Sequence, residues 1–234
     1  MAERRDKTGN GRAHATLRGD VTRDRLLDAI EAIAAETGFE GLSHRVIAKR
    51  ARLHSALVHY HFGTVDHLLE EAVARRAQRM SQQQRAALSA LLSRGRWTVE
   101  DVVAALWEPF GSLGGTIDDG WRNYLCLVAR LANNPRGDKP LDRHFGDVIT
   151  AALRALQTAL PDADEPTLRT GLRFARALFE NEALLRCQSA YPSERRALDD
   201  RRVVTFAAAG IRSLAGTLAG SAPTYVYARA AGGG

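Results

Sequence analysis

Residues 41–69 read GLSHRVIAKRARLHSALVHYHFGTVDHLL, and the way this stretch divides decides the fold. A short amphipathic run, His44 to Ala51, sets Ile47, Ala48 and Ala51 on one side, and Ser43 stands where a side-chain oxygen caps such a helix. Arg52-Leu53 make a turn. A second short run, Ser55 to His61, directs Val58 and Phe62 inward, and Gly63 ends it. Thr64 is placed to cap the next helix, with Asp66 in the first turn, where a carboxylate suits the helix dipole. Four cations, Arg45, Lys49, Arg50 and Arg52, fall within this helix pair, and no acid follows until Asp66.

Two short helices joined by a tight turn, with a basic and polar outer face, have the form of a duplex DNA reader. The first helix lies across the backbone and the second enters the major groove, so the two must cross closely; Ala48 is small enough for the crossing. With Ile47, Ala48, Leu53, Val58 and Phe62 inward, Arg45, Ser55, Ala56, Leu57, His59 and Tyr60 face out. Leu57 suits a thymine methyl. Ser43, Tyr60 and His61 suit phosphate oxygens.

Either side of this unit the pattern stays helical. Leu26, Leu27, Ile30, Ile33 and Ala34 predict an amphipathic helix over 22–37, stopped by Gly38, after which Phe39 and Leu42 return to the core. Residues 1–19 are polar and basic and are expected to form a disordered arm. After the pair, a fourth helix is expected over 64–79, continuing with a break to Leu92. Thr98 and Asp101 resemble a capping box opening a helix to Phe110, and 111–120 reads as a flexible loop. Further helices are expected over 121–132, 141–160, 164–189 and 193–218. No strand signal appears. The fold class is therefore all-α: an N-terminal three-helix unit over 20–66, a larger helical domain over 67–218 and a tail over 219–234.

The 234 residues are 45% hydrophobic, enough for a core, and the net charge of +6 agrees with an anionic partner without requiring one. No apolar run approaches ~18 residues, so no membrane span is expected. The N-terminus lacks the apolar stretch of a signal peptide, which points to the cytoplasm. Cys126 and Cys187 sit far apart in apolar patterns and read as two buried free thiols. His59 and His61 are two apart, about 200° around a helix, whereas a helical metal pair wants three or four, so no metal is expected. No nucleophile motif, phosphate loop or HExxH appears; GSLGG at 111–115 lacks the following Lys-Ser/Thr. Neither an enzyme nor a cofactor is expected.

The stretch RVIAKRARLHSALVHYHFGTVDHLL resembles the DNA-binding region of the tetracycline-repressor (TetR) family of bacterial regulators. Ile47-Ala48, Leu53, the run Leu57 to Phe62, Gly63-Thr64 and Asp66 to Leu69 match the family pattern in order and spacing, and Gly38-Phe39 fits the preceding helix. The resemblance covers roughly residues 22–70. It implies a homodimer whose N-terminal domains bind double-stranded operator DNA and whose C-terminal domains bind a small molecule and dimerise. It also implies that Arg45, Ser55, Ala56, Leu57 and His59 face bases or nearby phosphates, and that Ser43, Tyr60 and His61 hold the backbone. Two positions depart from the pattern. Arg52 stands where the turn usually has glycine, and Val65 where the fourth helix usually begins with lysine.

In the C-terminal half, Trp107, Phe110, Trp121, Tyr124, Phe174, Arg176, Phe179, Glu180 and Asn181 combine apolar faces with aromatic or polar exceptions and are the expected ligand-binding residues. The stripe Leu168, Leu172, Ala175, Leu178, Phe179, Leu185 and then Val203, Phe206, Ala207, Ile211, Leu214 fits either monomer core or the dimer interface the resemblance implies. The expected function is a ligand-responsive repressor. The alternative is a helix-turn-helix regulator controlled by a protein partner or by its own concentration.

Overall fold

Leu26, Ile30 and Ala34, spaced one turn apart, are fully buried along the inner side of α1 (Thr8–Thr37). The structure, a computed structural model, describes residues 8–114, 119–187 and 200–220, with side chains over 19–109, 120–185 and 201–216. Against α1 pack α2 (His44–Ala51) and α3 (Ser55–Phe62), through Ile47, Ala48, Ala51, Val58 and Phe62. The long α4 (Val65–Leu92) adds Leu68, Leu69, Ala72, Val73, Ala77 and Met80 to this cluster. Its opposite wall is α6 (Asp119–Leu131), through Tyr124, Leu127 and Leu131.

A second cluster joins the far half of α4, at Leu88 and Leu91, to α5 (Val99–Gly114), α7 (Asp138–Ala159), α8 (Glu165–Cys187) and α9 (Asp200–Gly220). α4 is therefore common to both clusters. α8 and α9 approach closely at Gly171, where an added Cβ would lie 3.2 Å from Ile211 Cγ1. Among the described residues there is no strand, and the only other element is a 3-10 turn, Pro135–Gly137.

The caps follow the sequence. Ser43 Oγ accepts from Val46 N–H at 3.3 Å and Thr64 Oγ1 from His67 N–H at 3.1 Å. Thr98 and Asp101 cap reciprocally: Thr98 Oγ1 accepts from Asp101 N–H at 3.2 Å, and Asp101 Oδ2 accepts from Thr98 N–H at 2.8 Å. Those bonds, backbone first, hold the Asp101 carboxyl below its ordinary range. Asp164 Oδ1 accepts from Thr167 N–H at 2.8 Å ahead of α8. Such caps contribute roughly 1 kcal/mol each.

Several expectations need correction. Helix α1 begins at Thr8, so residues 8–19 of the expected arm are helical; Ala13, Ala15, Leu17 and Arg18 are good helix formers, and extending a helix costs far less than starting one. Residues 1–7 lie outside the described residues. Helix α4 runs unbroken to Leu92, because its second half holds Gln, Arg, Ala and Leu and neither Gly nor Pro. The expected loop shrinks as α5 extends to Gly114 and α6 starts at Asp119; 115–118 lie outside the described residues. The expected start of the last helix at Ser193 and the tail from 221 are likewise outside them. Cys126, fully buried on α6, is disulfide-bonded, contrary to the expected free thiol. Distance along the chain says little about distance in a helical bundle, where α6 and α8 lie side by side. The side chain of Cys187 is outside the described set.

Candidate DNA-reading face and effector cavity

Burying Val58 and Phe62 turns the rest of α3 to the outside. Tyr60 is 81% exposed. Ser43, Arg45, Ser55, Ala56 and His59 are exposed, while Leu57 and His61 are half-buried. Arg45, Lys49 and Arg52 have no acidic partner among the described residues. The other cations nearby are committed. Arg50 forms a two-point pair with Glu36, and Arg25 donates to the Ala51 carbonyl at 2.6 Å, closing the end of α2. Arg52 terminates α2 in the left-handed region, with φ 54°. His59 Nδ1 lies 3.0 Å from the Gly63 carbonyl. A carbonyl only accepts, so Nδ1 carries the proton, and in the neutral ring Nε2 is left as an acceptor.

The mounting of this face is partly ionic. Arg23 on α1 lies over the Phe62 ring at 5.1 Å and bonds Glu71 of α4 at 2.5 Å. Deeper in, Glu31 of α1 is 1% exposed, with Arg75 and Arg76 of α4 each at 3.6 Å. Burial, outweighing both arginines, pushes its carboxyl up to about 7. Neighbouring Tyr124 donates to the Val73 carbonyl at 3.0 Å, and burial raises its phenol.

A cavity of about 380 Å³ opens among α4, α5, α6, α7 and α8. Its apolar wall includes Leu106, Trp107, Leu125, Phe145, Leu172 and Phe179. Trp107 and Phe179 stack at 4.0 Å with planes 16° apart. Glu180 also lines it, accepting from Asn133 Nδ2 at 3.2 Å and paired with Arg176 Nε at 3.1 Å. Burial raises the Glu180 carboxyl against the opposing pull of Arg176 and Asn133. Gln84 is the one α4 residue lining this cavity; its Nε2 donates to the Leu106 carbonyl at 3.0 Å, and its Oε1 has no partner.

Sequence comparison gives two matches that together cover most of the chain. A model described as "Bacterial regulatory proteins, tetR family" matches residues 26–72, and one described as "Tetracyclin repressor-like, C-terminal domain" matches residues 104–210. The chain belongs to the tetracycline-repressor (TetR) family. As a TetR-family member it is a DNA-binding transcription regulator, of a class that is generally not enzymatic. Solved structures with the same fold include a TetR family transcription regulator from Marinobacter aquaeolei VT8, with TM-score 0.55 and 16% identity over 83% of this chain and 97% of that one. Others are a putative tetR family regulator from Shewanella sp. PV-4 (TM-score 0.55, 13% identity, 84% and 97% covered) and a putative transcriptional regulator from Pseudomonas aeruginosa PAO1 (0.55, 18%, 84% and 91%). No curated protein matches the chain by sequence.

On this TetR-family frame the eight expected DNA-facing residues gather on the outer surface of α2, α3 and the Ser43 cap. The expected ligand residues divide. Trp107, Arg176, Phe179 and Glu180 line the cavity. Trp121 and Tyr124 do not, because the first half of α6 packs on the N-terminal cluster; Trp121 lies under Arg76 and Arg79 at 5.1 and 5.5 Å. Phe174, 55% exposed, and Asn181 are seven apart and share the outer side of α8. The side chain of Phe110 lies outside the described set. Sequence reasoning missed Gln84, Asp138, Asp142, Phe145 and Arg169. Gln84 left a signal: it interrupts the apolar stripe Ala77, Met80, Leu88, Leu91 at an inward position.

Proposed function

We propose that this regulator is a homodimeric, ligand-responsive repressor that releases its operator when a small molecule fills the cavity. The observation that carries the DNA half is the division of cations around α2 and α3. Those that steady the fold are paired, and Arg45, Lys49 and Arg52 are left for phosphates. Arg45, Ser55, Ala56, Leu57 and His59 face the bases or their nearest phosphates, while Ser43, Tyr60 and His61 hold the backbone. His59, with Nδ1 committed to Gly63, presents an acceptor suited to an adenine or cytosine amino group. The reading unit is residues 20–66 and the regulatory body residues 67–218, acting in the cytoplasm, with α4 running from one into the other.

Two half-sites need two reading units about one helical turn, ~34–36 Å, apart. The outer side of α8 and α9 supplies the self-association surface, where Phe174 and Phe206 are 55% and 71% exposed although large and apolar. The 380 Å³ cavity, apolar with a few oriented polar groups, supports an effector over control by concentration alone. The test is fluorescence anisotropy with an operator selected from genomic fragments. Affinity falling steeply with salt and a stoichiometry of two subunits per operator are expected. Binding no tighter to the selected operator than to random duplex refutes the reading.

A further inference from the structure

The polar groups of the cavity are not evenly committed. Arg176 is paired with Glu180, and Arg169 with Glu165 at 2.6 Å. The acceptors are left over. Gln84, 5% exposed, spends its donor on the Leu106 carbonyl and keeps Oε1 unpartnered. Asp138 and Asp142, both exposed and both lining the cavity, form no ion pair among the described residues. A buried acceptor without a donor is costly, and an occupant that brings one removes that cost. Trp107, 2% exposed, and Phe179 stacked face to face on it form the aromatic part of the wall, against which a planar aromatic body packs.

We infer that the cavity takes a planar aromatic cation of roughly two or three fused rings bearing N–H donors, and rejects the matching carboxylate. The ring lies against the wall formed by Trp107 and Phe179, its N–H groups meet Gln84 Oε1 and Glu180, and the carboxylates of Asp138 and Asp142 attract its charge to the mouth. This rests on reading the cavity as the effector site, and it gives Gln84 a second meaning. Gln84 is the cavity-lining residue carried by α4, so a donor captured there is felt by the same helix that follows the recognition element.

Three tricyclic probes of similar shape test this by calorimetric titration into the full chain without DNA: proflavine, a cation with aryl amines; neutral acridine; and acridine-9-carboxylate. Proflavine is expected to bind, and the carboxylate to bind at least about tenfold more weakly. Gln84→Leu and Glu180→Gln should each weaken proflavine about tenfold, the scale of one lost charge-assisted bond. Asp142→Lys, at an exposed position, should weaken proflavine and favour the carboxylate. The inference is overturned if the carboxylate binds as tightly as proflavine, if proflavine is indifferent to both interior substitutions, or if none of the three probes binds. Because no DNA is present, each of these failures leaves operator binding untouched; a protein that binds proflavine but no duplex refutes the operator reading and leaves this one standing.

Discussion

Position 52 holds a β-carbon where the backbone turns left-handed, with φ 54°, the one described non-glycine residue to do so. That conformation costs an ordinary residue about 1 kcal/mol relative to glycine. Arg52→Gly is therefore expected to raise the melting temperature by roughly 2–4 °C, read by calorimetry. It also removes an unpaired cation, so the slope of log affinity against log salt should become shallower by about one if Arg52 touches phosphate; an unchanged slope assigns it no such contact. Tyr60→Ala should weaken all duplexes alike, whereas Leu57→Ala should alter the preference between operators; a uniform loss at Leu57 contradicts base reading. The single-residue features differ in how well sequence reveals them. Arg52 was visible because it departs from the expected glycine. The hydrogen bond from His59 to Gly63 was hidden, since a ring's rotamer follows from the turn it closes.

Helix α1 and helix α4 are joined by a buried carboxylate between two arginines, and that arrangement titrates. The Glu31 carboxyl is raised to about 7 from an ordinary 4.5, chiefly by burial. Between those values the folded state keeps a proton that the unfolded chain has lost. Stability from this group is therefore greatest at acid pH, falls as pH rises through the window, and levels off above 7. The change is on the order of 3 kcal/mol. Urea melts at pH 5, 6, 7 and 8 should show this decline in the native protein, and Glu31→Gln should flatten it; parallel pH profiles refute the assignment. The helices themselves were legible wherever local chemistry decides: Ser43, Thr64 and the Thr98 and Asp101 pair all cap as their spacing implies. What local chemistry does not decide was lost. The bonding of Cys126 depends on what packs alongside, while the N-terminal extension of α1 and the continuity of α4 follow from the low cost of propagating a helix once begun. Glu31 and Gln84 are the instructive cases, both polar residues on apolar stripes, both legible as anomalies, and neither with a partner that periodicity could name.

Self-association and communication are properties of the assembled regulator. Phe206→Asp should dissociate the proposed dimer in native mass spectrometry. Each buried phenylalanine contributes about 2 kcal/mol, and symmetry removes two at once, weakening association by about a thousandfold. A variant that remains dimeric relocates the interface. Under the proposed mechanism operator and effector oppose each other by one common factor; effector titrations with and without operator that give the same affinity dismiss the coupling. The cavity was only half legible, because its wall draws on five helices and sequence ranks faces one helix at a time; Trp107 and the Phe179-Glu180 anomaly were within reach, Asp138 and Asp142 were not. The uninterrupted course of α4 has a mechanical corollary. From the Thr64 cap to Gln84 is about 30 Å of rod without a joint. Pivoting it by about 5° at the inner end sweeps the outer end through roughly 2.5 Å, comparable to the length of a single hydrogen bond. The gearing is already present in the backbone, and a glycine pair introduced midway would slacken it while leaving both ends intact.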